Sequence, residues 1–240
     1  MIYNLGNKIV NSYLVDLEGG GYLLIDTGYA DNYRGFLKRL QKTGISPGDI
    51  KFIFLTHAHD DHAGFLNEVL SLTDSKVILH PGAISGLMRG QNSFEGGCSS
   101  RLAWLFCQIL AVFGKGEHKY PPIKEEYLDR LVAIDSDEFK SLSFPFTVVS
   151  TPGHTAEHIA MLKEGILFCG DAAMNGFPSI HRTIIWIENL PQYIESWGKM
   201  ISLNSDMVYP AHGKPFPSKD LVRHRHQLEE IKLYPRKHQQ

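Results

Sequence analysis

The chain of 240 residues has few cysteines, little net charge and no long apolar run. Its three cysteines, Cys98, Cys107 and Cys169, are too few and too irregularly spaced for a disulfide framework, which favours a reducing compartment. A formal net charge of −2 gives no general attraction to nucleic acid or to an anionic membrane. No apolar run approaches about 18 residues, so we expect no membrane-spanning helix. Because no charged segment followed by an apolar stretch opens the chain, we expect a cytoplasmic protein.

The apolar share of 43% is enough for a full hydrophobic core. We expect one domain over residues 1–240, with an insertion at about 82–130 that carries one or two helices. The insertion starts with a Gly/Ser/Asn-rich stretch and contains the apolar segment Leu102–Phe113. Mixed strands and helices that begin with a hairpin predict a sheet sandwich with helices outside, instead of a doubly wound parallel sheet.

Hydrophobic periodicity and turn residues predict the individual elements. The predicted strands are Lys8–Asp16, Gly21–Asp26, Lys51–Leu55, Lys76–Leu79, Leu131–Ile134, Phe146–Val149, Ile159–Leu162, Ile166–Cys169 and Met207–Tyr209. The predicted helices are Asn32–Thr43, Ala63–Leu72, Pro191–Leu203 and Asp220–Leu233. The first two strands are expected to form a β-hairpin that turns at three consecutive glycines.

The segment from Thr56 to His62 contains three histidines and two aspartates directly after a predicted buried strand. Side chains alternate in an extended loop, so His57 and His59 point the same way and can bind one metal ion. Asp61 and His62 follow where the chain turns into a helix, and they can face a second ion nearby. Imidazole and carboxylate together suit zinc, manganese or iron.

Three later segments each place one metal-binding side chain just beyond the end of a predicted strand. These side chains are His154, Asp171 and His212. Loops at strand ends carry functional groups on a rigid scaffold. Four such loops with compatible ligands predict a metal site with residues from across the chain.

This pattern resembles the metallo-β-lactamase superfamily, with its His-x-His-x-Asp-His motif, a later histidine, a bridging aspartate and a last histidine. The resemblance runs from the turn Leu24–Gly28 to His212 and leaves out the insertion and the tail. It implies an α/β fold, a four-layer αββα sandwich with the metals at one edge. Within the superfamily, the glyoxalase II-like or lactonase-like branch is the one that the chain is most similar to.

The resemblance also implies a role for each ligand. His57, His59 and His154 would hold the first metal ion, Asp61, His62 and His212 would hold the second, and Asp171 would bridge both. Asp61 would in addition orient the attacking water or accept its proton. Asp26 would steady the metal loops, and Asp60, the non-ligand of the motif, would support its loop. The roles of His158 and His181 stay open.

The implied activity is that of a hydrolase that uses a metal-bridged hydroxide on a small ester-type substrate, a thioester or a lactone. The implied cofactors are two divalent ions, zinc first, with manganese or iron as alternatives. The alternative functions are a phosphodiesterase or nuclease of the same fold, a mononuclear iron dioxygenase, and a metal-stabilised binding module. Antibiotic hydrolysis is disfavoured because β-lactamases of this family usually lack the carboxylate found at Asp171.

The insertion offers a broad apolar surface whose use the sequence leaves open. Its apolar side chains are Trp104, Leu105, Phe106, Ile109, Leu110 and Phe113. They could form a lid over a small-molecule substrate, or they could pack on the sandwich or in a homodimer contact.

Overall fold

A computed structural model describes residues 1–93, 95–112, 116–142 and 144–235. The chain divides into two compact units. Unit 1 comprises Met1–Asn92 and Lys119–Pro145, and unit 2 comprises Ser93–His118 and Phe146–Gln240. In the described ranges, no helix combines the length and the hydropathy that crossing a membrane requires. A single domain over 1–240 with an insertion at about 82–130 stays a prediction.

Strands and helices are interspersed along the chain. The strands of the described residues are β1 (Ile2–Asn4), β2 (Tyr13–Asp16), β3 (Tyr22–Ile25), β4 (Ile50–Phe54), β5 (Lys76–Leu79), β6 (Gly97–Cys98), β7 (Leu131–Ala133), β8 (Thr147–Ser150), β9 (Ile159–Lys163), β10 (Ile166–Gly170), β11 (Trp186–Ile187), β12 (Met207–Pro210) and β13 (Phe216–Pro217). The α-helices there are α1 (Tyr33–Thr43), α2 (Asp60–Ala63), α3 (Leu66–Leu70), α4 (Ala83–Arg89), α5 (Arg101–Val112), α6 (Asp137–Ser141), α7 (Leu190–Ser202) and α8 (Lys219–His224). Short 3-10 helices cover Ala30–Asn32, Pro47–Asp49, Glu125–Arg130 and Arg225–Glu230.

Unit 1 is built on a six-stranded sheet in the order β1-β2-β3-β4-β5-β7. The pairs β1–β2 and β2–β3 are antiparallel, while β3, β4, β5 and β7 run parallel to one another. The core strands β4 and β5 carry fully buried side chains such as Ile53, Phe54 and Val77. The carboxyl ends of the parallel strands lie at one edge of the sheet, where α/β sheets place their ligands.

Unit 2 is built on a five-stranded sheet in the order β13-β12-β10-β9-β8, in which only β10 and β12 pair in parallel. A separate two-stranded ribbon pairs β6 with β11. Helix α7 packs Tyr193 and Trp197 into a core with Leu167, Val208 and other side chains of this sheet.

The predicted hairpin is confirmed as β2 and β3, but its first strand starts at Tyr13, not at Lys8. The side-chain oxygen of Asn7 accepts hydrogen bonds from the backbone N–H groups of Ile9 and Val10. Such a local bond offers the backbone an alternative to strand pairing. Residues just before Tyr13 therefore form a turn instead of a strand.

The helix predictions are confirmed where a cap marks the end. Helix α1 ends at Gly44, which has a φ of 76° in the left-handed region. The predicted helix Ala63–Leu72 is in fact two short helices, α2 and α3. The prediction of one helix over Asp220–Leu233 is wrong, because α8 gives way to a 3-10 helix that buries Leu228.

The segment predicted as an insertion contains two α-helices, α4 and α5, where one or two were expected. Helix α5 covers most of the apolar segment, and Phe113 lies outside the described residues.

Candidate metal centre

The first group of predicted ligands comes from the strand ends at one edge of unit 1. Strand β4 lies between the parallel strands β3 and β5, and its carboxyl end leads directly into His57. Asp26 follows β3 at the same edge, and its backbone N–H donates to the carbonyl of Phe54 at 2.9 Å. The sheet therefore fixes the start of the motif loop and places Asp26 beside it.

His57, His59, Asp61 and His62 form what we call the motif cluster, and all four are buried. The ring centroid of His57 lies 4.5 Å from that of His59 and 4.0 Å from that of His62. The Nε2 atom of His62 lies 3.6 Å from the Oδ1 atom of Asp61. Three imidazoles and a carboxylate thus converge in a small, dry volume within unit 1.

Asp26 and Thr56 contact two histidines of the motif cluster at their Nδ1 atoms. The Asp26 carboxylate accepts hydrogen bonds from the backbone N–H and the hydroxyl of Thr56, each at 2.8 Å. Its Oδ2 atom also lies 2.8 Å from Nδ1 of His62, and the Thr56 hydroxyl lies 3.0 Å from Nδ1 of His57. A carboxylate has no proton to give, so the ring nitrogen of His62 is the donor. This fixes a tautomer that leaves Nε2 of His62 as the ligand atom.

The backbone of His62 is held as firmly as its ring. Its carbonyl accepts hydrogen bonds from the N–H of Thr27 at 2.7 Å and from the hydroxyl of Thr27 at 2.8 Å. Both ends of the motif are therefore tied to the turn that follows β3.

The second group of predicted ligands lies in unit 2. His154 follows β8, Asp171 follows β10 and His212 follows β12. We call these three residues the downstream cluster. One carboxylate oxygen of Asp171, Oδ2, lies 3.4 Å from Nε2 of His154, and the other, Oδ1, lies 3.4 Å from Nε2 of His212. Each oxygen of this carboxylate thus faces a different imidazole, which is the arrangement that a bridging ligand needs.

The orientation of His154 is set by a backbone carbonyl. Its Nδ1 atom lies 2.8 Å from the carbonyl oxygen of Trp186 at the start of β11. Since a carbonyl can only accept, Nδ1 carries the proton and Nε2 is left for a metal. The loop before His154 needs glycine at 153, where φ is 132° and an added Cβ would come within 2.4 Å of the Tyr193 backbone.

His158 supports the downstream cluster without being a ligand. Its Nε2 accepts a hydrogen bond from the backbone N–H of Asp171 at 3.0 Å, and its Nδ1 lies 2.8 Å from the hydroxyl of Thr151. Both ring nitrogens are therefore engaged inside unit 2. His158 therefore holds the backbone at Asp171, a predicted ligand, through a hydrogen bond.

His181 has a different setting. It is exposed, and its ring lies against that of His224 with a centroid distance of 5.1 Å. The Nδ1 atom of His224 in turn lies 2.8 Å from Oε1 of Gln227. A substrate contact for His181 stays a prediction.

The chemistry of the donor set fits divalent transition metals. Every predicted ligand belongs to a cluster of His and Asp side chains that could hold a metal ion. Imidazole nitrogens with a minority of carboxylates suit zinc, manganese and iron better than magnesium or calcium. The described residues therefore include candidate His/Asp metal clusters, and the assignment of each ligand stays a prediction.

Sequence reasoning missed several residues that hold these ligands. Thr56 and Thr151 stand close to predicted ligands along the chain, but no role was expected of them. Each is a threonine at the end of a strand, one to seven residues before the histidine that it contacts. A strand-end threonine close to a predicted ligand is the signal that could have found both.

The sequence profile of the Metallo-beta-lactamase superfamily matches residues 5–212. The match covers the whole motif and the three later predicted ligands. It leaves out the tail that follows His212.

Among curated relatives, a metallo-beta-lactamase fold-containing protein of Sulfurisphaera tokodaii is 28% identical over 190 residues, covering 77% of this chain and 69% of the relative. A hydroxyacylglutathione hydrolase of Tolumonas auensis is 29% identical over 196 residues, covering 81% of this chain and 58% of the relative. The chain thus spans little more than half the length of several curated proteins that it matches.

Among solved structures, a B3 metallo-beta-lactamase with an active-site glutamic acid superposes with a TM-score of 0.67 at 21% identity. The superposition covers 95% of this chain and 85% of that protein. At this identity the similarity shows the fold alone. It confirms the predicted fold class.

Proposed function

Because the chain belongs to the metallo-β-lactamase superfamily, whose members are metal-dependent hydrolases, we propose that it is a hydrolase with two divalent metal ions. Zinc is the first choice of ion, and manganese or iron are the alternatives. The reaction that we propose is the hydrolysis of a small ester-type substrate, a thioester or a lactone.

The proposed ligand assignment follows the family motif and the donor chemistry. His57, His59 and His154 hold the first ion; Asp61, His62 and His212 hold the second; Asp171 bridges them. The tautomers of His62 and His154 support this assignment, since each ring is held at Nδ1 and offers Nε2.

One observation carries the proposal. The two oxygens of the Asp171 carboxylate lie 3.4 Å from Nε2 of His154 and 3.4 Å from Nε2 of His212. A carboxylate that binds one ion needs a neighbouring imidazole ligand at only one of its oxygens. A carboxylate that bridges two ions needs an imidazole ligand near each oxygen. The backbone of Asp171 is itself held by His158. This arrangement supports a dinuclear centre over a mononuclear one.

Two bound cations would supply Lewis acidity toward the substrate and a water of lowered pKa. The residues of the chain itself do the rest. Asp61 orients the attacking water and accepts its proton, while Asp26 and His158 keep the ligands in place. The water oxygen bonds to the acyl carbon, the bond from that carbon to the leaving oxygen or sulfur breaks, and the proton ends on the leaving group.

The substrate class is proposed from the curated relatives and from the bridging carboxylate. One relative is named a hydroxyacylglutathione hydrolase, a name that describes the hydrolysis of an acylated glutathione. An acyl substrate is therefore our first choice, ahead of a phosphodiester. A cytoplasmic location stays a prediction, as does a homodimer through the insertion.

The test combines metal analysis with a substrate panel. Protein purified without added metal is analysed for zinc, manganese and iron and is then assayed on an acyl thioester, a lactone and bis(4-nitrophenyl) phosphate. We expect about two equivalents of metal and turnover of an acyl substrate. Asp171→Asn, which keeps the shape of the side chain but loses one ligand oxygen, should lose metal and more than about 100-fold in activity.

Each alternative has its own outcome in that experiment. A single iron with no hydrolysis would indicate the dioxygenase, and turnover of the phosphodiester alone would indicate a phosphodiesterase or nuclease. Two bound metals with no turnover of any ester would favour the binding module. An Asp171→Asn variant with full metal content and normal turnover would contradict the bridging role.

A further inference from the structure

Two residues of the segment that the sequence sets apart as an insertion contact the motif loop directly. The hydroxyl of Tyr120 donates a hydrogen bond of 2.8 Å to the carbonyl of Ala58. Ala58 is the residue between the predicted ligands His57 and His59. We propose that Tyr120 and Asn92 are positioning residues for the metal-binding loop, a role that rests on the proposed metal centre.

Tyr120 is a buried residue whose ring packs in the main core of unit 1. Its neighbours in that core include Ala58 itself and Leu87 of helix α4. The hydroxyl therefore reaches the Ala58 carbonyl from a fixed position. A hydrogen bond from a fixed donor holds the peptide that joins Ala58 to His59, and with it the direction in which the His59 ring leaves the backbone.

Asn92 holds the next part of the loop through two reciprocal bonds. Its side-chain oxygen accepts from the backbone N–H of Asp60 at 2.8 Å, and its Nδ2 atom donates to Oδ1 of Asp60 at 2.8 Å. Asp60 is the first residue of α2, and the predicted ligands Asp61 and His62 follow it at once. The amide thus fixes both the backbone and the side chain at the start of the helix that presents those ligands.

Tyr120 and Asn92 belong to one substructure. Gln91 and Lys119 form an antiparallel bridge, and the backbone N–H of Tyr120 donates to the carbonyl of Gly90 at 2.9 Å. Tyr120 and Asn92 each follow a residue of this bridge along the chain, so the two positioning residues flank it on opposite sides, in unit 1.

Helix α4 packs against the same loop. A Cβ on Gly86 would come within 2.9 Å of the Ala58 side chain, so this helix packs directly on the loop. Part of the insertion therefore sets the geometry of the metal ligands. The sequence left three uses open for the apolar surface of the insertion, namely a lid, packing on the sandwich and a homodimer contact, and it pointed to none of these contacts with the motif loop.

The direct test is Tyr120→Phe, which keeps the ring in the core and removes only the donor. We expect the affinity for zinc alone to fall by about 10- to 100-fold. This is the range for residues that hydrogen-bond to metal ligands without binding the metal themselves. Competition with a chromogenic chelator measures the affinity. The absorption spectrum of the cobalt-substituted protein should shift as well, because it reports the geometry of the ligands and not the stability of the fold.

Tyr127→Phe is the matched control. Tyr127 packs against the same core but is partly exposed, and the cations of Lys124 and Arg130 lie over its ring. It should leave zinc affinity and the cobalt spectrum as in the wild type. Asn92→Ala tests the contact with Asp60. Because Asn92 is partly exposed, this change puts folding at less risk. It should likewise weaken zinc binding by about 10- to 100-fold.

The proposal is overturned if both variants bind zinc as tightly as the wild type and keep its cobalt spectrum. A lower thermal stability of the metal-free protein with unchanged zinc affinity would also overturn it, since the contacts would then be merely structural. A wild type that binds zinc but hydrolyses nothing would refute the proposed function and leave this inference standing.

Discussion

The Oδ2 atom of Asp26 lies 2.8 Å from the Nδ1 atom of His62, and both side chains are buried. This carboxylate selects the tautomer that leaves Nε2 of His62 for a metal. We predict that Asp26→Asn weakens zinc binding by about 10- to 100-fold, because its amide can donate to Nδ1 and favour the other tautomer. Chelator competition at neutral pH is the measurement.

Asp31→Asn is the control for that change, because Asp31 is an exposed acid in the turn after β3. It removes the same charge close by in sequence from an exposed side chain. Equal zinc affinity in the wild type and in Asp26→Asn would show that the carboxylate does not govern the His62 tautomer.

The residues of the candidate His/Asp clusters could be located from the sequence because metal-binding chemistry is specific to residue type. Histidine and aspartate seldom stand at four strand ends of one chain by chance, and strand ends can be located from apolar runs. The predicted hairpin and the helix that ends at Gly44 were likewise marked by local signals.

The residues that hold the ligands could not be predicted in this way. Tyr120 lies 62 positions from Ala58 in sequence, and Asn92 lies 32 positions from Asp60. No local pattern connects such pairs, because only the tertiary packing of α4 and the residues after it brings them together. The same limit explains the tail, where the burial of Leu228 ends α8 sooner than its periodicity suggests.

The loop of His212 depends on a chain of polar contacts that ends at Arg182. The Arg182 guanidinium donates to Oδ2 of Asp220 at 2.8 Å and 3.1 Å and also to the side-chain oxygen of Asn175. The backbone N–H of Asn175 in turn donates to the carbonyl of His212 at 2.9 Å. The guanidinium carbon also lies over the ring of Phe216. We predict that Arg182→Met, which keeps an apolar stem and removes every donor, weakens zinc binding by about 10-fold.

Hydrogen exchange of the Asn175 amide gives a second measurement of the same change. It should speed up in Arg182→Met, because the loop is less firmly held. Arg182→Lys should rescue only part of the loss, since an ammonium group cannot donate to two partners in the fixed fork of a guanidinium. Arg225→Met, which removes an exposed pair with Glu229, should change neither measurement. Slow exchange and full affinity in Arg182→Met would refute the prediction.

The carboxyl of Glu188 gives unit 2 a pH-dependent stability. Burial raises its pKa from 4.5 to about 7, the hydrogen bond from Ser93 opposes the rise, and the nearby carboxylates of Glu157 and Glu95 add to it. A carboxyl whose pKa is higher in the folded state favours folding below its ordinary pKa, and this contribution is lost as the pH rises through about 7. Glu188→Gln cannot ionise, so we predict that it gains stability relative to the wild type between pH 5 and pH 8.

Urea unfolding of both proteins at pH 5 and at pH 8 measures this effect. The comparison at each pH cancels the titration of groups that the two proteins share. Glu230→Gln, an exposed position in the tail, should show the same difference from the wild type at both pH values. A constant difference for Glu188→Gln would mean that this carboxyl ionises in the folded protein as it does in the unfolded one.

Helix α5 presents an apolar face to solvent. It is also connected, through strand pairing, to the residue that orients His154, a predicted metal ligand. Leu105 and Ile109 are about half exposed on this helix. The helix follows β6, which pairs with β11, and β11 supplies the Trp186 carbonyl that holds His154. Few chain elements therefore separate this apolar face from the downstream cluster. An apolar face of this kind suits the acyl group of a substrate.

We predict that Leu105→Ser combined with Ile109→Ser raises the KM for substrates with long apolar acyl groups by about 10-fold, because desolvated contact area is lost. Metal content and kcat on a small activated ester should stay at the wild-type value, since neither residue contacts a ligand. Exposed Val222→Ser on α8 is the matched control and should leave every KM unchanged. If the double variant instead keeps all KM values but changes the molecular mass in solution, α5 is an assembly surface and not a wall of the substrate site.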